Sequence, residues 1–183
     1  GNVPPDKYIS LAERNGQIID IGNFVLHTAL SQTAKWYKAV EHDFKIAINI
    51  SPLQIRNPRF IEHVADLLKL YQLPATALEL EITEGLLLQD EHIAHFTIQK
   101  LQQLGIKISL DDFGTGYSSL TYFRRLPVNT LKIDQSFIRD MLDDPEDMAI
   151  VESVIGLGKA FGRHLVAEGV ESVAHGQVLM DLG

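Results

Sequence analysis

Cysteine is absent from the 183-residue sequence, and basic residues are few. Without cysteine, disulfide bonds and thiolate metal sites are excluded, and an intracellular setting is permitted. Lys and Arg number 16 against 24 Asp and Glu, a formal net charge of -8, which argues against general binding to nucleic acid or an anionic membrane surface. No apolar run approaches the roughly 18 residues of a membrane span, and the first residues lack a signal-peptide pattern. We therefore expect no nucleic acid polymer as partner and no membrane contact by this chain.

The order of apolar segments predicts an α/β fold. With 45% hydrophobic residues the chain can bury one core, so we expect residues 1–183 to form a single domain. Short apolar runs alternate with segments of helical spacing, a pattern that predicts parallel β-α units closed around a shared axis by right-handed crossovers. The predicted strands cover about 45–51, 77–84, 107–110, 130–134 and 164–168, and the main predicted helices about 5–15, 18–30, 59–71, 90–104, 145–161 and 172–182.

Polar side chains lie at or near the carboxyl end of every predicted strand. In parallel α/β folds the functional groups gather at those ends. Several buried charges at one rim are costly unless cations or a charged ligand lie between them. The sequence therefore predicts a functional site at this rim, formed by Asn49, Glu81, Asp111, Asp112, Lys132 and Glu168.

Carboxylate and amide oxygens are ligands suited to Mg²⁺ or Mn²⁺ rather than to zinc or copper. The adjacent residues Asp111 and Asp112 could serve two ions, with Asp111 bridging them. A two-metal site is suited to activating water for in-line displacement at a phosphodiester. In such a site Lys132 and Glu168 fit as groups that position the attacking water or handle its proton.

Parts of this pattern have simpler interpretations. Asp111 and Asp112 could merely cap a turn, and the alternation around Glu81 would also suit a solvent-facing antiparallel strand. A metal-dependent barrel that enolises carbohydrate acids also places Asp, Glu and Lys at strand ends. His92 and His95 lie three residues apart on a predicted helix without a third partner nearby, so we interpret them as solvated residues.

The glycine-containing segment after the third strand matches two other motifs incompletely. Residues 112–114 spell the magnesium triplet of protein kinases, but the glycine-rich loop, strand lysine and His-Arg-Asp segment of kinases do not accompany it. Gly114 and Gly116 are also too few for a dinucleotide fingerprint or a P-loop. We interpret this segment as a mobile lid over the site.

Five motifs, in this order, resemble the EAL domain family, the bacterial phosphodiesterases that hydrolyse cyclic di-GMP to the linear dinucleotide pGpG. The resemblance covers essentially the whole chain. The motifs are Asn-Ile-Ser-Pro at 49–52, Glu-Ile-Thr-Glu at 81–84, Asp-Asp-Phe-Gly-Thr-Gly-Tyr-Ser-Ser-Leu at 111–120, Leu-Lys-Ile-Asp at 131–134 and Ala-Glu-Gly-Val-Glu at 167–171.

The resemblance implies a modified (β/α)8 TIM-like barrel, two Mg²⁺ or Mn²⁺ ions and cyclic di-GMP as the ligand. It implies a cytoplasmic domain, which could be the cytoplasmic part of a membrane sensor, and a homodimer formed through the loop and helix after Asp112. By the same resemblance, Asn49, Glu81 and Asp111 bind one metal ion, and Asp111 and Asp112 bind the second. Lys132 and Glu168 act on the catalytic water, and Glu171 supports the site. Glu84 anchors the glycine loop, which contains Gly114 and Gly116.

The chain also departs from the family pattern. It contains no Glu-Ala-Leu, whose glutamate is a metal ligand in the family, and it lacks the closing strand with the family glutamine. A complete barrel of this type has about 250 residues. We therefore expect an incomplete barrel, truncated at both ends, whose activity as a fragment is in question. A catalytically silent cyclic di-GMP receptor is the alternative function.

Overall fold

The computed structural model describes residues 3–39, 44–89, 91–115 and 124–183. Five strands form one parallel sheet and follow one another across it in chain order, as the alternation of segments predicts. The strands are β1 (Ile46–Asn49), β2 (Leu78–Thr83), β3 (Lys107–Phe113), β4 (Thr130–Ile133) and β5 (His164–Ala167). The antiparallel interpretation of the segment around Glu81 is wrong, because β2 pairs in parallel with strands on both sides.

Helices connect the strands, and most of them begin where the sequence predicts. The helix predicted over about 90–104 is present over 91–103, whereas three short α-helices among the described residues, after β1, β2 and β4, were not predicted. Among the described residues, no helix is long and apolar enough to cross a bilayer. The helices are α1 (Pro5–Asn15), α2 (Ile18–Ala39), α3 (Pro52–Arg56), α4 (Phe60–Tyr71), α5 (Glu84–Gln89), α6 (Glu91–Gln103), α7 (Gln135–Asp140), α8 (Pro145–Ala160) and α9 (Val173–Leu182).

Local side-chain caps explain why the chain turns from strand to helix so abruptly at the carboxyl end of the sheet. After β1, the Ser51 hydroxyl accepts from Gln54 N at 3.3 Å, while Gln54 Oε1 accepts from Ser51 N at 3.1 Å, a complete capping box. Pro52 occupies the first turn of α3, where a missing N–H is tolerated. After β4, Asp134 caps α7 by accepting from Ser136 N at 2.8 Å.

The two faces of the sheet differ in chemistry. Because side chains alternate along a strand, one face carries the apolar residues that pack under the helices, among them Ile48, Leu80, Leu110 and Leu131, all buried. The opposite face carries the polar set. Parallel sheets in α/β proteins are normally apolar on both faces, so a polar face indicates a specific use. Its residues include Asn49, Glu79, Glu81, Ser109, Asp111, Thr130 and Lys132.

Helix α8 approaches β5 closely at one glycine. A Cβ built on Gly158 would lie 2.5 Å from Leu165 Cδ2 and 2.8 Å from Leu165 Cγ, whereas a Cβ on Gly156 in the same helix would meet nothing within 4 Å. The Gly158 contact therefore sets the distance between α8 and the strand that precedes Glu168.

This pair of glycines gives a matched stability test. Gly156→Ala is expected to raise the free energy of unfolding by up to about 1 kcal/mol, because alanine favours the helix. Gly158→Ala gains the same propensity but overpacks against Leu165, so we expect it to be about 1–3 kcal/mol less stable than Gly156→Ala. Urea unfolding of both variants measures the difference. Equal stabilities would show that the close contact at Gly158 does not constrain the packing.

Candidate active site

The strand register brings the predicted site residues to one rim of the polar face. Asn49, the last residue of β1, is the register partner of Glu81 in β2. Asp111 in β3 is opposite Thr83, two residues beyond Glu81 on the same face. Glu168 directly follows β5, and its backbone N–H donates to Ile133 O at 3.2 Å, which holds it beside the end of β4.

Lys132 joins three of these side chains. Its Nζ lies 2.9 Å from Glu81 Oε1, 3.0 Å from Asp111 Oδ1 and 2.6 Å from Glu168 Oε1. The side chains of Lys132, Glu81 and Asp111 are only 12–13% exposed, and that of Glu168 is 32% exposed. Four of the predicted site residues, from four different strand ends, are thus in direct contact.

A β-bulge places two consecutive aspartates at this rim. In a regular strand Asp111 and Asp112 would point to opposite faces. Here Leu110 pairs with Leu131 and Phe113 pairs with Ile133, so the two aspartates of β3 lie opposite a single residue of β4, Lys132. Asp112 has a φ of 54°, in the left-handed region that few non-glycine residues adopt. Strand β3 therefore continues past both aspartates to Phe113, whereas the predicted strand ends before them.

The carboxylates and the ammonium shift one another's protonation. Burial alone would lower the pKa of Lys132, but hydrogen bonds to Glu168, Glu81 and Asp111 outweigh it and raise that pKa above its ordinary value. Burial raises the pKa of Asp112, and repulsion from Asp111 and other nearby carboxylates raises it further. Among the described residues, the rim thus holds more negative charge than the Lys132 ammonium neutralises.

Asp134 belongs to this cluster, although the sequence analysis gave it no role. Burial would raise the pKa of Asp134, but hydrogen bonds from the Ser136 side chain and backbone, together with an interaction with Asp112, lower it. The signal was available, since Asp134 directly follows β4 and lies two residues after Lys132. Asp134 also caps α7.

The remaining predicted residues lie at the border of the cluster. Asn49 is exposed beside Glu81, and Glu171 is exposed in the segment after β5. Glu84, the first residue of α5, is only 4% exposed, and neither of its carboxylate oxygens has a hydrogen-bond partner among the described residues. It borders a cavity of about 310 Å³ together with Phe113 and Gly114. Gly116 lies outside the described residues.

Part of the rim has the chemistry of a cation site. Carboxylate oxygens of Asp111, Asp112 and Glu168 all lie within 4.8 Å of one another. Hard oxygen donors of this kind suit a hard divalent cation. The donor set therefore fits a metal ion.

The fold and this rim define a parallel α/β domain with an acidic site at its strand ends. The sequence profile of the EAL domain matches residues 1–183, and the chain belongs to the EAL domain family. The chain superimposes with a TM-score of 0.94 on a solved structure of the MucR phosphodiesterase in complex with c-di-GMP. Together with this likeness, the open five-stranded sheet confirms the predicted incomplete barrel. That match has 39% identity and covers 99% of this chain and 73% of the other.

Two curated relatives extend the comparison. The bifunctional diguanylate cyclase/cyclic di-GMP phosphodiesterase MucR of Pseudomonas aeruginosa is 39% identical over 183 residues, which are all of this chain and 27% of the relative. A second Pseudomonas aeruginosa protein, named as a cyclic di-GMP phosphodiesterase, is 38% identical over 172 residues, 94% of this chain and 29% of the relative. The chain thus spans little more than a quarter of the length of these relatives.

The left-handed backbone at Asp112 generates a stability prediction. Asparagine tolerates this conformation, whereas a β-branched residue does not. We expect Asp112→Val to have a free energy of unfolding about 1–2 kcal/mol lower than that of Asp112→Asn, since both substitutions remove the same charge. Denaturant unfolding in the presence of a chelator measures both variants. Identical stabilities would contradict the bulge geometry.

Proposed function

We propose that this chain is a metal-dependent phosphodiesterase domain that hydrolyses cyclic di-GMP to linear pGpG. The observation that carries the proposal is the convergence of Glu81, Asp111 and Glu168 on Lys132, with Asp112 beside them, at the carboxyl ends of the strands. Membership of the EAL family and the likeness to a c-di-GMP complex of MucR support this choice of substrate.

The residues that would hold two Mg²⁺ or Mn²⁺ ions are Asn49, Glu81, Asp111 and Asp112, with Asp111 shared. When bound, the ions supply positive charge that neutralises the phosphodiester and favours ionisation of water. The β-bulge supports this assignment, because it brings two consecutive carboxylates to the same rim. The register pairing of Asn49 with Glu81 places an amide oxygen donor next to the first carboxylate.

Lys132 and Glu168 are proposed to act on the attacking water. Glu168 is more accessible than Lys132, Glu81 and Asp111 and can accept a proton, while the neighbouring ammonium orients the water and stabilises charge on the phosphate. In the hydrolysis the water oxygen forms a bond to phosphorus, one P–O bond of the cyclic dinucleotide breaks, and the leaving oxygen takes up a proton. The product is the linear dinucleotide.

The other assignments follow from the same resemblance. Glu84 is proposed to anchor the segment with Gly114 and Gly116. Its buried carboxylate has no hydrogen-bond partner in the part of the chain that the structure describes and lines the same cavity as Gly114, which supports this role. Glu171 is proposed to support the site from its exposed position after β5. A homodimer through the residues after Asp112, a single domain over residues 1–183 and a cytoplasmic location stay predictions.

A hydrolysis assay with the full-length protein tests the proposal. In the presence of Mg²⁺ or Mn²⁺ we expect conversion of cyclic di-GMP to pGpG, followed by chromatography, and loss of conversion with a chelator. Asp111→Asn is expected to lower the rate by more than about 100-fold, because substituting residues that only support metal ligands already costs 10- to 100-fold. Asp143→Asn, an exposed aspartate before α8, is the matched control and should leave the rate unchanged.

Two results would redirect the interpretation. Tight binding of cyclic di-GMP without turnover would favour the alternative of a silent receptor. Hydrolysis that persists in Asp111→Asn would contradict the assignment of that residue to the metal site.

A further inference from the structure

The Lys132 ammonium occupies the centre of the acidic rim. An ammonium has three N–H donors. The Lys132 Nζ has three carboxylate oxygens within 3.0 Å, one each from Glu81, Asp111 and Glu168. We propose that Lys132 is the resident counter-cation of the rim, and that a divalent ion displaces its ammonium from Glu81 and Asp111. The inference rests on the proposed function only in taking these two residues as metal ligands.

Distances show why the ammonium and an ion compete. The three Nζ–O distances are 2.6–3.0 Å, the separations of hydrogen-bonded ion pairs. Mg²⁺ requires oxygen ligands at about 2.0–2.1 Å. Oxygens arranged around an ammonium are therefore too far from their common centre for a metal ion. The oxygens have to draw inwards to bind an ion at that centre, and Nζ has to leave it.

The charge distribution gives a second reason. The Lys132 ammonium faces four nearby carboxylates, those of Glu81, Asp111, Asp112 and Glu168. The side chains of Lys132, Glu81 and Asp111 are largely buried. Without Lys132 these carboxylates would repel one another in a partly desolvated site. In the protein without metal, the lysine thus keeps the rim together. Once an ion neutralises the carboxylates, their attraction for the Lys132 ammonium weakens, and the ammonium can contact water or phosphate instead.

Amine labelling of the full-length wild-type protein tests the displacement directly. The protein is treated with an acetylating reagent after chelation or with added Mn²⁺, and modification of each lysine is measured by mass spectrometry. We expect Lys132 to label slowly without metal and several-fold faster with Mn²⁺. Lys107, exposed at the opposite end of β3, is the internal control and should label equally in both conditions. Unchanged or slower labelling of Lys132 with Mn²⁺ would overturn the inference.

A substitution pair tests the counter-cation role. Lys132→Met keeps an unbranched side chain one atom shorter and removes the charge, and Lys107→Met makes the same change at an exposed position. We expect Lys132→Met to have a lower Tm than wild type in chelator, and a Mn²⁺-induced rise in Tm several degrees larger. Lys107→Met should behave like wild type in both measurements. A Mn²⁺-induced rise in Lys132→Met no larger than that of wild type would contradict the role.

The two experiments also separate this inference from the proposed function. Removing a positive charge tightens cation binding even if the ammonium never moves, so the labelling experiment alone decides displacement. Neither readout involves cyclic di-GMP. Metal-induced labelling of Lys132 in a protein that does not hydrolyse the dinucleotide would sustain the inference and reject the proposed function. Hydrolysis without any change in labelling would do the reverse.

Discussion

The structure depends on one electrostatic constraint, the need to neutralise several carboxylates that the sheet brings to the same rim. Strands β2, β3, β4 and β5 are parallel neighbours in this order, so their carboxyl ends lie at the same edge of the sheet. This order brings the side chains of Glu81, Asp111 and Glu168 close together. Lys132 projects from the intervening strand into the middle of this group. The polar face is tolerable because these charges are paired there, whereas isolated buried charges would be strongly destabilising.

Much of this arrangement can be predicted from the sequence. Strand and helix alternation determines a parallel sheet, and polar residues at the strand ends then have to converge, which is why Glu81, Asp111, Lys132 and Glu168 could be assigned to one site before any coordinates. Their assignment needs only the common direction of the strands. The predicted strand boundaries differ from the structure by at most three residues, because strand ends depend on pairing partners that lie far away in the chain, whereas helix α2 continues nine residues past its predicted end.

Other features could not be predicted because they arise from tertiary pairing. The bulge at Asp111 and Asp112 follows from the register of β3 against β4, and alternation alone would have separated the two side chains. The contact of Asp134 with Asp112 depends on the same bulge, so the position of Asp134 at a strand end indicated the site but not the side chain that Asp134 would contact. Helix α3 was missed because it has only five residues, too few to show helical spacing of apolar residues, although Ser51 and Gln54 form a capping box at its start.

The central claim is that this rim is a divalent cation site, and the most direct measurement is anomalous scattering from a crystal of the full-length protein grown with Mn²⁺. The account predicts an anomalous peak within coordination distance, about 2.0–2.2 Å, of carboxylate oxygens from Asp111 and Glu81, with Lys132 Nζ moved away from them. A crystal that binds Mn²⁺ elsewhere, with Lys132 still bonded to Glu81, Asp111 and Glu168, would contradict it.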